Sequence, residues 1–109
     1  MTSKVEQRLR ETGVTIPDAP SPAANYLPFT LTGNLVFVSG QVPFVDGKLK
    51  ITGTVGENAS VEDAQEQAKI CAINLLAQLK VACDGDLDRV VQVVKLGAFV
   101  ASADNFFNQ

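Results

Sequence analysis

Residues 28–43 read PFTLTGNLVFVSGQVP, and this stretch decides the local fold. Residues 29–31 and 35–39 are two runs rich in aromatic and branched apolar side chains, and Gly33-Asn34 separates them. Glycine and asparagine are the residues that tight hairpin turns favour, because such turns need positive φ angles. The pattern predicts an antiparallel β-hairpin whose second strand ends at the polar sequence Ser39-Gly40-Gln41.

Helical signals flank the hairpin on both sides. Residues 3–12 are predicted as a short helix, with Ser3 as its N-cap and Gly13 at its end. Residues 60–82 are predicted as the longest helix, because Ser60 is a good N-cap and apolar residues recur every three or four positions after it. The predicted solvent-facing side of this helix carries five polar residues: Gln65, Glu66, Lys69, Gln78 and Lys80.

The strand signals continue beyond the hairpin. Asp46-Gly47 predicts a second turn, followed by a short edge strand over residues 48–51. Residues 90–101 are predicted as a central strand, because both faces of that segment are mostly apolar. The long helix covers one face, and the other requires cover that we expect from a partner subunit. Residues 104–107 are predicted to begin a further helix.

Length and composition restrict the function classes. The chain has 109 residues, the length of one typical domain. We predict a single domain over residues 1–109, in which residues 1–13 form a helical extension. It contains no histidine, which excludes Ser-His-Asp and Cys-His catalysis and any His-ligated metal site. The net charge of −3 disfavours a nucleic-acid partner. No apolar run approaches the roughly 20 residues of a membrane span.

The two cysteines indicate the compartment. Cys71 and Cys83 are twelve residues apart in one predicted helix. That spacing separates them by about 18 Å, whereas a disulfide needs Cα atoms within about 7 Å. Two free thiols are typical of a reducing cytoplasm, which is the location we predict. Cys71 is interpreted as a small core residue, and Cys83 as a candidate for exposure at the helix end.

Two segments contain groups that could bind a ligand. At the end of the second hairpin strand, Gly40 would let a ligand approach the backbone and use its N–H, beside the Ser39 hydroxyl. The alternative is an ordinary strand exit with glycine as a turn residue. In the second segment, Asp84, Asp86 and Asp88 alternate like calcium ligands. Arg89 and Lys95 stand where an EF-hand needs glycine and glutamate, so a solvated loop is the favoured interpretation.

The hairpin turn followed by the sequence SGQVP over residues 39–43 resembles the signature of the RidA family, also called YjgF or L-PSP endoribonuclease. The resemblance covers residues 18–107. It implies an α+β, chorismate-mutase-like fold in a homotrimer, with sheets forming a barrel-like centre and sites in clefts between subunits. It also implies hydrolysis of reactive enamines and imines, such as 2-aminoacrylate, to 2-oxo acids and ammonia, without a cofactor or metal.

The resemblance carries over to individual residues. Tyr26 precedes Ser39 by thirteen positions, as the tyrosine of the family does, although Ala24-Asn25 replaces the usual Gly-Pro before it. Tyr26 and Ser39 are therefore the predicted catalytic residues, with a ring packed on the hairpin as the alternative for Tyr26. Gly40, Gln41 and Phe106 are the predicted substrate-binding residues.

The family's carboxylate-binding arginine, a glutamate and the last strand have no counterpart in this sequence. Arg8, Arg10 and Arg89 do not match the arginine by motif, so a C-terminally shortened relative with impaired deamination is expected. Three functions stay open: an enamine/imine deaminase, a non-catalytic trimeric protein that binds small carboxylates, and a ribonuclease or translation inhibitor. The acidic charge and the absence of histidine disfavour the third.

Overall fold

The computed structural model describes residues 3–21 and 24–109. Two helices and two small antiparallel sheets make an α+β fold in which the longer helix contacts both sheets. The elements in chain order are α1 (Lys4–Glu11), β1 (Phe29–Thr32), β2 (Leu35–Val38), β3 (Phe44–Val45), β4 (Lys48–Leu49), α2 (Val61–Ala82) and a 3-10 helix (Leu87–Arg89).

The β-hairpin is confirmed. Strands β1 and β2 pair antiparallel, with Phe29 opposite Val38, and the turn glycine Gly33 adopts a φ of +57°. Along β2, Val36 and Val38 are half-buried whereas Leu35 and Phe37 are exposed. Because α2 contacts this hairpin, the two valines lie on its helix side and the other apolar face is open.

The second turn and edge strand are also confirmed. Strands β3 and β4 pair antiparallel on either side of Asp46-Gly47, and both turn residues have positive φ angles. The strands are two residues each, so the observed edge strand ends earlier than predicted. This hairpin contacts α2 through β3, which brings the chain after Ser39 against the helix.

Helix α2 begins as predicted, but the prediction of its buried face is partly wrong. Ser60 and Asp63 form a reciprocal capping box at its N-terminus. Gln78, predicted to face solvent, is 2% exposed. Its Nε2 donates a hydrogen bond of 2.8 Å to the carbonyl of Pro20 in the proline-rich segment. A polar side chain can be buried when its hydrogen bonds are made. The Pro20 carbonyl, 58 residues away in the chain, is the partner that allows Gln78 to be buried.

Helix α1 is confirmed, and a carboxylate distant in sequence, Asp88, caps its N-terminus. The Ser3 side chain accepts a hydrogen bond from the Glu6 amide, and the two Asp88 oxygens accept from the amides of Lys4 and Val5 at 2.8 and 2.9 Å. Lys80 of α2 forms an ion pair of 3.0 Å with Glu6. The amides of a first helical turn lack intrahelical hydrogen-bond acceptors, and the two Asp88 oxygens supply acceptors for two of these amides.

The three alternating aspartates therefore have separate roles. Asp88 binds the N-terminus of α1, and Asp86 caps the 3-10 helix by accepting from the Asp88 amide at 3.0 Å. Asp84 pairs with Arg89 at 3.1 Å. Among residues 3–21 and 24–109, no three or more Cys, Asp or Glu side chains converge as a metal site would require.

We predict that the docking of α1 depends on pH through Asp88. Hydrogen bonds from the Lys4 and Val5 amides lower the pKa of Asp88 below its ordinary value. A lowered pKa in the folded state means that the stabilisation is complete above the unfolded pKa, about 3.9, and is lost as the pH falls through the lowered value. Amide NMR of Val5 between pH 2 and 7 should show an acid transition below about pH 4.

The Asp88→Asn variant should lack this transition, because its side chain does not titrate. The matched control is Asp104→Asn, which removes an exposed carboxyl elsewhere and should leave the Val5 profile unchanged. An unaltered acid transition in Asp88→Asn would show that another group controls the docking.

The prediction of a paired central strand over residues 90–101 is wrong for this structure. Residues 91–100 form no strand and make no backbone hydrogen bond with the described part of the chain, and Val91 and Phe99 are 98% and 102% exposed. A strand requires a neighbouring backbone to complete its ladder, and no described strand lies alongside this segment. The apolar pattern is present, but the pairing is not.

The segment after residue 100 docks on the loop before α2. The Val55 amide donates to the Ala101 carbonyl at 2.8 Å, and the Ala103 amide donates to the Val55 carbonyl at 2.9 Å. The predicted helix at residues 104–107 is wrong, because this stretch forms only a turn at 104–105. The backbone hydrogen bonds to Val55 hold residues 101–103 extended against the loop and leave one turn after them.

Both cysteines are free thiols, as predicted from their spacing. Cys83 is buried at 7% exposure, so the expected exposure at the helix end is not observed. Cys71 is half-buried, and burial raises the pKa of its thiol. In the part of the chain that the structure describes, no helix has both the length and the apolarity to cross a bilayer.

Candidate functional site

The end of strand β2 fixes Ser39 through two hydrogen bonds to the chain before β1. The Ser39 amide donates to the carbonyl of Pro28 at 2.9 Å, and its hydroxyl donates to the carbonyl of Leu27. Because the hydroxyl proton is used in this way, the oxygen retains its lone pairs for accepting a hydrogen bond from a ligand or water. Ser39 is therefore arranged as an acceptor and orienting group, not as a nucleophile beside a base.

The residues after Ser39 present free backbone donors. The amides of Gly40, Gln41 and Val42 have no hydrogen-bond partner among the described residues. Gly40 is exposed, and a Cβ built on it would meet no atom within 4 Å, so a ligand can approach its N–H closely. A free backbone amide can donate a hydrogen bond to a carboxylate or carbonyl oxygen.

Gln41 contacts the site backbone itself. Its Nε2 donates a hydrogen bond of 3.0 Å to the carbonyl of Ser39. That carbonyl belongs to the same peptide unit as the Gly40 N–H, and in a planar trans peptide the two groups point in opposite directions. The Gln41 side chain therefore orients the Gly40 donor. Its predicted contact with a substrate stays a prediction.

Tyr26 lies next to the carbonyl that Ser39 binds. It precedes Leu27 directly, its amide donates to the Ala24 carbonyl at 2.9 Å, and its side chain is 42% exposed. Pairing between Leu27 and Ser39 thus brings the tyrosine segment beside the strand end. The residue is therefore not enclosed, and its contact with a ligand stays a prediction.

Phe106 packs against the loop before α2. A Cβ on Gly56 would come within 2.9 Å of the Phe106 Cβ, so the aromatic side chain lies directly on that glycine. Its amide donates to the Ala103 carbonyl at 3.0 Å. The predicted contact of Phe106 with a substrate cleft stays a prediction.

Asn74 of α2 also holds the site segment, which is residues 39–44. The sequence did not lead us to predict this role. It is 3% exposed, and its Nδ2 donates to the carbonyls of Val42 and Phe44 at 3.2 and 3.1 Å. The signal that could have found it is a carboxamide within the apolar repeat, three residues after Cys71. A polar residue at such a position must find partners when the helix packs.

A cavity of about 210 Å³ lies beside Asn74 and Phe44. It is lined by Pro17, Asp18, Pro20, Phe44, Asp46, Gly47 and Asn74. None of the five predicted site residues lines it. The candidate site at Ser39 and Gly40 is instead the end of strand β2, where Gly40 is exposed.

The structure combines an α+β fold, in which a long helix contacts a hairpin, with a strand end at Ser39 and Gly40. Residues 6–106 match the model of the family described as "YjgF/chorismate mutase-like, putative endoribonuclease". This chain belongs to that family, as the resemblance to RidA predicted. The family fold is consistent with the observed helices and small sheets, whereas the structure shows one chain and does not display a trimeric barrel.

Two curated relatives and two solved structures are similar to the chain. Protein TCP17 of Trypanosoma cruzi is 38% identical over 108 residues, which cover 99% of this chain and 67% of TCP17. The mitochondrial protein MMF1 of Saccharomyces cerevisiae is 31% identical over 88 residues, which cover 81% of this chain and 52% of MMF1. The chain therefore spans between about half and two thirds of these relatives.

The structural neighbours are consistent with the same fold. Atu1372 from Agrobacterium tumefaciens, a protein with unknown function, has a TM-score of 0.86 and 50% identity, covering 96% of this chain and 64% of Atu1372. A "putative endoribonuclease" from Shewanella oneidensis has a TM-score of 0.67 and 33% identity, covering 72% of this chain and 52% of that protein.

Proposed function

We propose that this chain is a RidA-like deaminase that hydrolyses enamines and imines derived from amino acids. The observation that carries the proposal is the strand end at which the Ser39 oxygen and the free Gly40 amide lie side by side in the chain. One group accepts a hydrogen bond and the other donates one. An imine with an adjacent carboxylate offers the complementary pair, an iminium N–H and a carboxylate oxygen.

The reaction balances without a cofactor. Protonation of 2-aminoacrylate at its methylene carbon gives an iminium ion, and water adds to the C=N carbon and loses a proton to form a neutral carbinolamine. The C–N bond then breaks, which releases ammonia and leaves a 2-oxo acid. In this scheme Gly40 holds the carboxylate, Ser39 orients the water or the iminium, and Tyr26 supplies a hydroxyl near the same site.

The alternative is a protein that binds small carboxylates without hydrolysing imines. Carboxylate recognition is strongest with a bidentate arginine. Two arginines of the chain form ion pairs elsewhere, Arg8 with Glu11 at 3.6 Å and Arg89 with Asp84 at 3.1 Å. Arg10 lies on α1. The carboxylate contact at Ser39 would then depend on backbone amides, which supports binding more directly than rapid turnover.

The proposal includes a homotrimer in which copies of the chain complete the site. Supporting it are the open apolar face of β2, where Phe37 is 60% exposed, and the unpaired segment 91–100, where Val91, Val93, Val94, Leu96 and Phe99 are 69–102% exposed. Apolar side chains in such density favour association. The unpaired backbone amides and carbonyls of this segment also favour pairing with a strand of another chain. A measured solution mass of three chains would support this part.

The decisive assay uses 2-aminoacrylate generated in situ by an amino-acid dehydratase, with 2-oxo acid release followed over time. We expect Ser39→Ala to slow release by about tenfold to a hundredfold, the loss typical of a polar contact in a site. Ser102→Ala is the matched control, since it removes a hydroxyl that pairs with Gln109 instead.

A wild-type rate equal to that of buffer, with folded and associated protein, would reject the deaminase. In that case, shifts of the Gly40 amide on titration with 2-oxobutanoate would favour the carboxylate-binding alternative. The word endoribonuclease stands in the description of the family and in the name of the Shewanella protein, and the net charge of −3 still disfavours RNA as the substrate of this chain.

A further inference from the structure

Asn74 is a buried amide that uses both of its donors on one short segment. It is 3% exposed, and its Nδ2 donates to the carbonyls of Val42 and Phe44, the residues on either side of Pro43. A side-chain amide nitrogen carries two N–H groups, so both are satisfied by this contact. The Val42 carbonyl also accepts from the Phe44 amide at 2.8 Å, which makes this a tight turn gripped from the helix.

The contact fixes the far end of the site segment. At the near end, Ser39 is bound to the carbonyls of Leu27 and Pro28. Only Gly40 and Gln41 lie between this anchor and the Val42 carbonyl. A linker of two residues with both ends held has few conformations available, so the direction of its amides is restricted before any ligand binds.

We propose that Asn74 is a positioning residue that aims the Gly40 amide from helix α2 without touching the substrate. The role of the Gly40 amide as the hydrogen-bond donor to a substrate carboxylate rests on the proposed function. The mechanical part does not, since the hydrogen bonds of Asn74 restrain the segment whichever ligand binds there. Loss of both bonds should loosen residues 39–44 specifically.

Gln78 provides a control within the same helix. It lies four residues after Asn74, is 2% exposed and donates its hydrogen bond to Pro20, which is not part of the site segment. Gln78→Met and Asn74→Leu both replace a buried carboxamide by an apolar side chain of similar size. General weakening of α2 should therefore appear in both variants, whereas loosening of the site should appear in one.

The experiment is hydrogen exchange by NMR in the two variants and the wild type. The Ser39 and Phe44 amides, which are both hydrogen-bonded, are compared with amides in the middle of α2. In Asn74→Leu we expect exchange at Ser39 and Phe44 to rise about tenfold or more relative to the α2 amides, as two lost hydrogen bonds predict. In Gln78→Met this ratio should stay at the wild-type value.

The affinity for 2-oxobutanoate, measured by the Gly40 amide shift, should fall about tenfold in Asn74→Leu and change little in Gln78→Met. An unchanged exchange ratio in Asn74→Leu would overturn the positioning role whatever the activity. A raised ratio in a protein whose wild type neither binds 2-oxobutanoate nor releases 2-oxo acid would support that role and reject the proposed function.

The wild-type protein provides a test that does not depend on folding of a variant. The side-chain amide protons of Asn74 should exchange slowly, and their resonances should shift when 2-oxobutanoate binds, while those of Gln78 stay in place. Should Asn74→Leu fail to fold, exchange of the Asn74 side-chain amide protons as fast as that of the exposed Asn34 would overturn the proposal.

Discussion

Replacing Leu87 by alanine is expected to lower the free energy of unfolding by about 3 kcal/mol, as for other fully buried leucines. Leu87 is 1% exposed, less than any other apolar side chain in the described residues. It lies in the 3-10 helix that contacts α1, directly before Asp88, which binds the N-terminus of α1. For a domain of this size the whole stability is about 5–15 kcal/mol, so the loss is large.

The measurement is urea unfolding followed by circular dichroism. Leu27→Ala is the matched control, because it removes the same atoms from a side chain that is 73% exposed, and it should cost less than about 1 kcal/mol. Amide NMR should also show α1 released from the 3-10 helix in Leu87→Ala. Equal losses in the two variants would mean that Leu87 is not part of a packed core.

Gly56→Ala is expected to destabilise the chain by about 3 kcal/mol, the combined effect of backbone strain and overpacking. Gly56 has a φ of +89°, and a Cβ there would come within 2.9 Å of the Phe106 Cβ. That carbon is close to the backbone and cannot rotate away. The variant should therefore push residues 101–109 off the loop and expose the Ala103 amide, which is bonded to Val55.

Gly85→Ala separates the two causes. Gly85 has a φ of +90°, almost the value at Gly56, but a Cβ on it would meet nothing within 4 Å. It should show only the strain, about 1 kcal/mol. Unfolding in urea and hydrogen exchange at Ala103 are the readouts. A Gly56→Ala variant no less stable than Gly85→Ala would show that Phe106 does not pack on Gly56.

The amount of buried apolar surface links these predictions to association. Among the described residues, the buried apolar side chains are Val55, Ala77, Cys83 and Leu87. They are few for 109 residues, while the apolar side chains of β2 and of segment 91–100 stay exposed. A small core makes each buried residue important in a single chain. The proposed trimer would add cover to the exposed surfaces, so stability should increase with protein concentration.

Short-range signals were sufficient to predict the hairpin, both turns and the capped starts of α1 and α2. In each case the deciding residues are neighbours in the chain: Gly33-Asn34 between two apolar runs, or Ser60 three positions before Asp63. Such geometry is set by the preferred φ and ψ angles and by hydrogen bonds that close within one turn. The family resemblance arose from the same stretch, since SGQVP directly follows the hairpin.

Contacts between distant segments decided the rest. Asn74, Gln78 and Asp88 are bound to groups 30 to 84 residues away, so no local pattern identifies their partners, although the carboxamide of Asn74 stands within the apolar repeat of α2. Segment 91–100 has the alternation of a strand, yet the structure leaves it unpaired. Backbone pairing and the burial of a polar side chain both require a partner, and the position of that partner is a property of the packed chain.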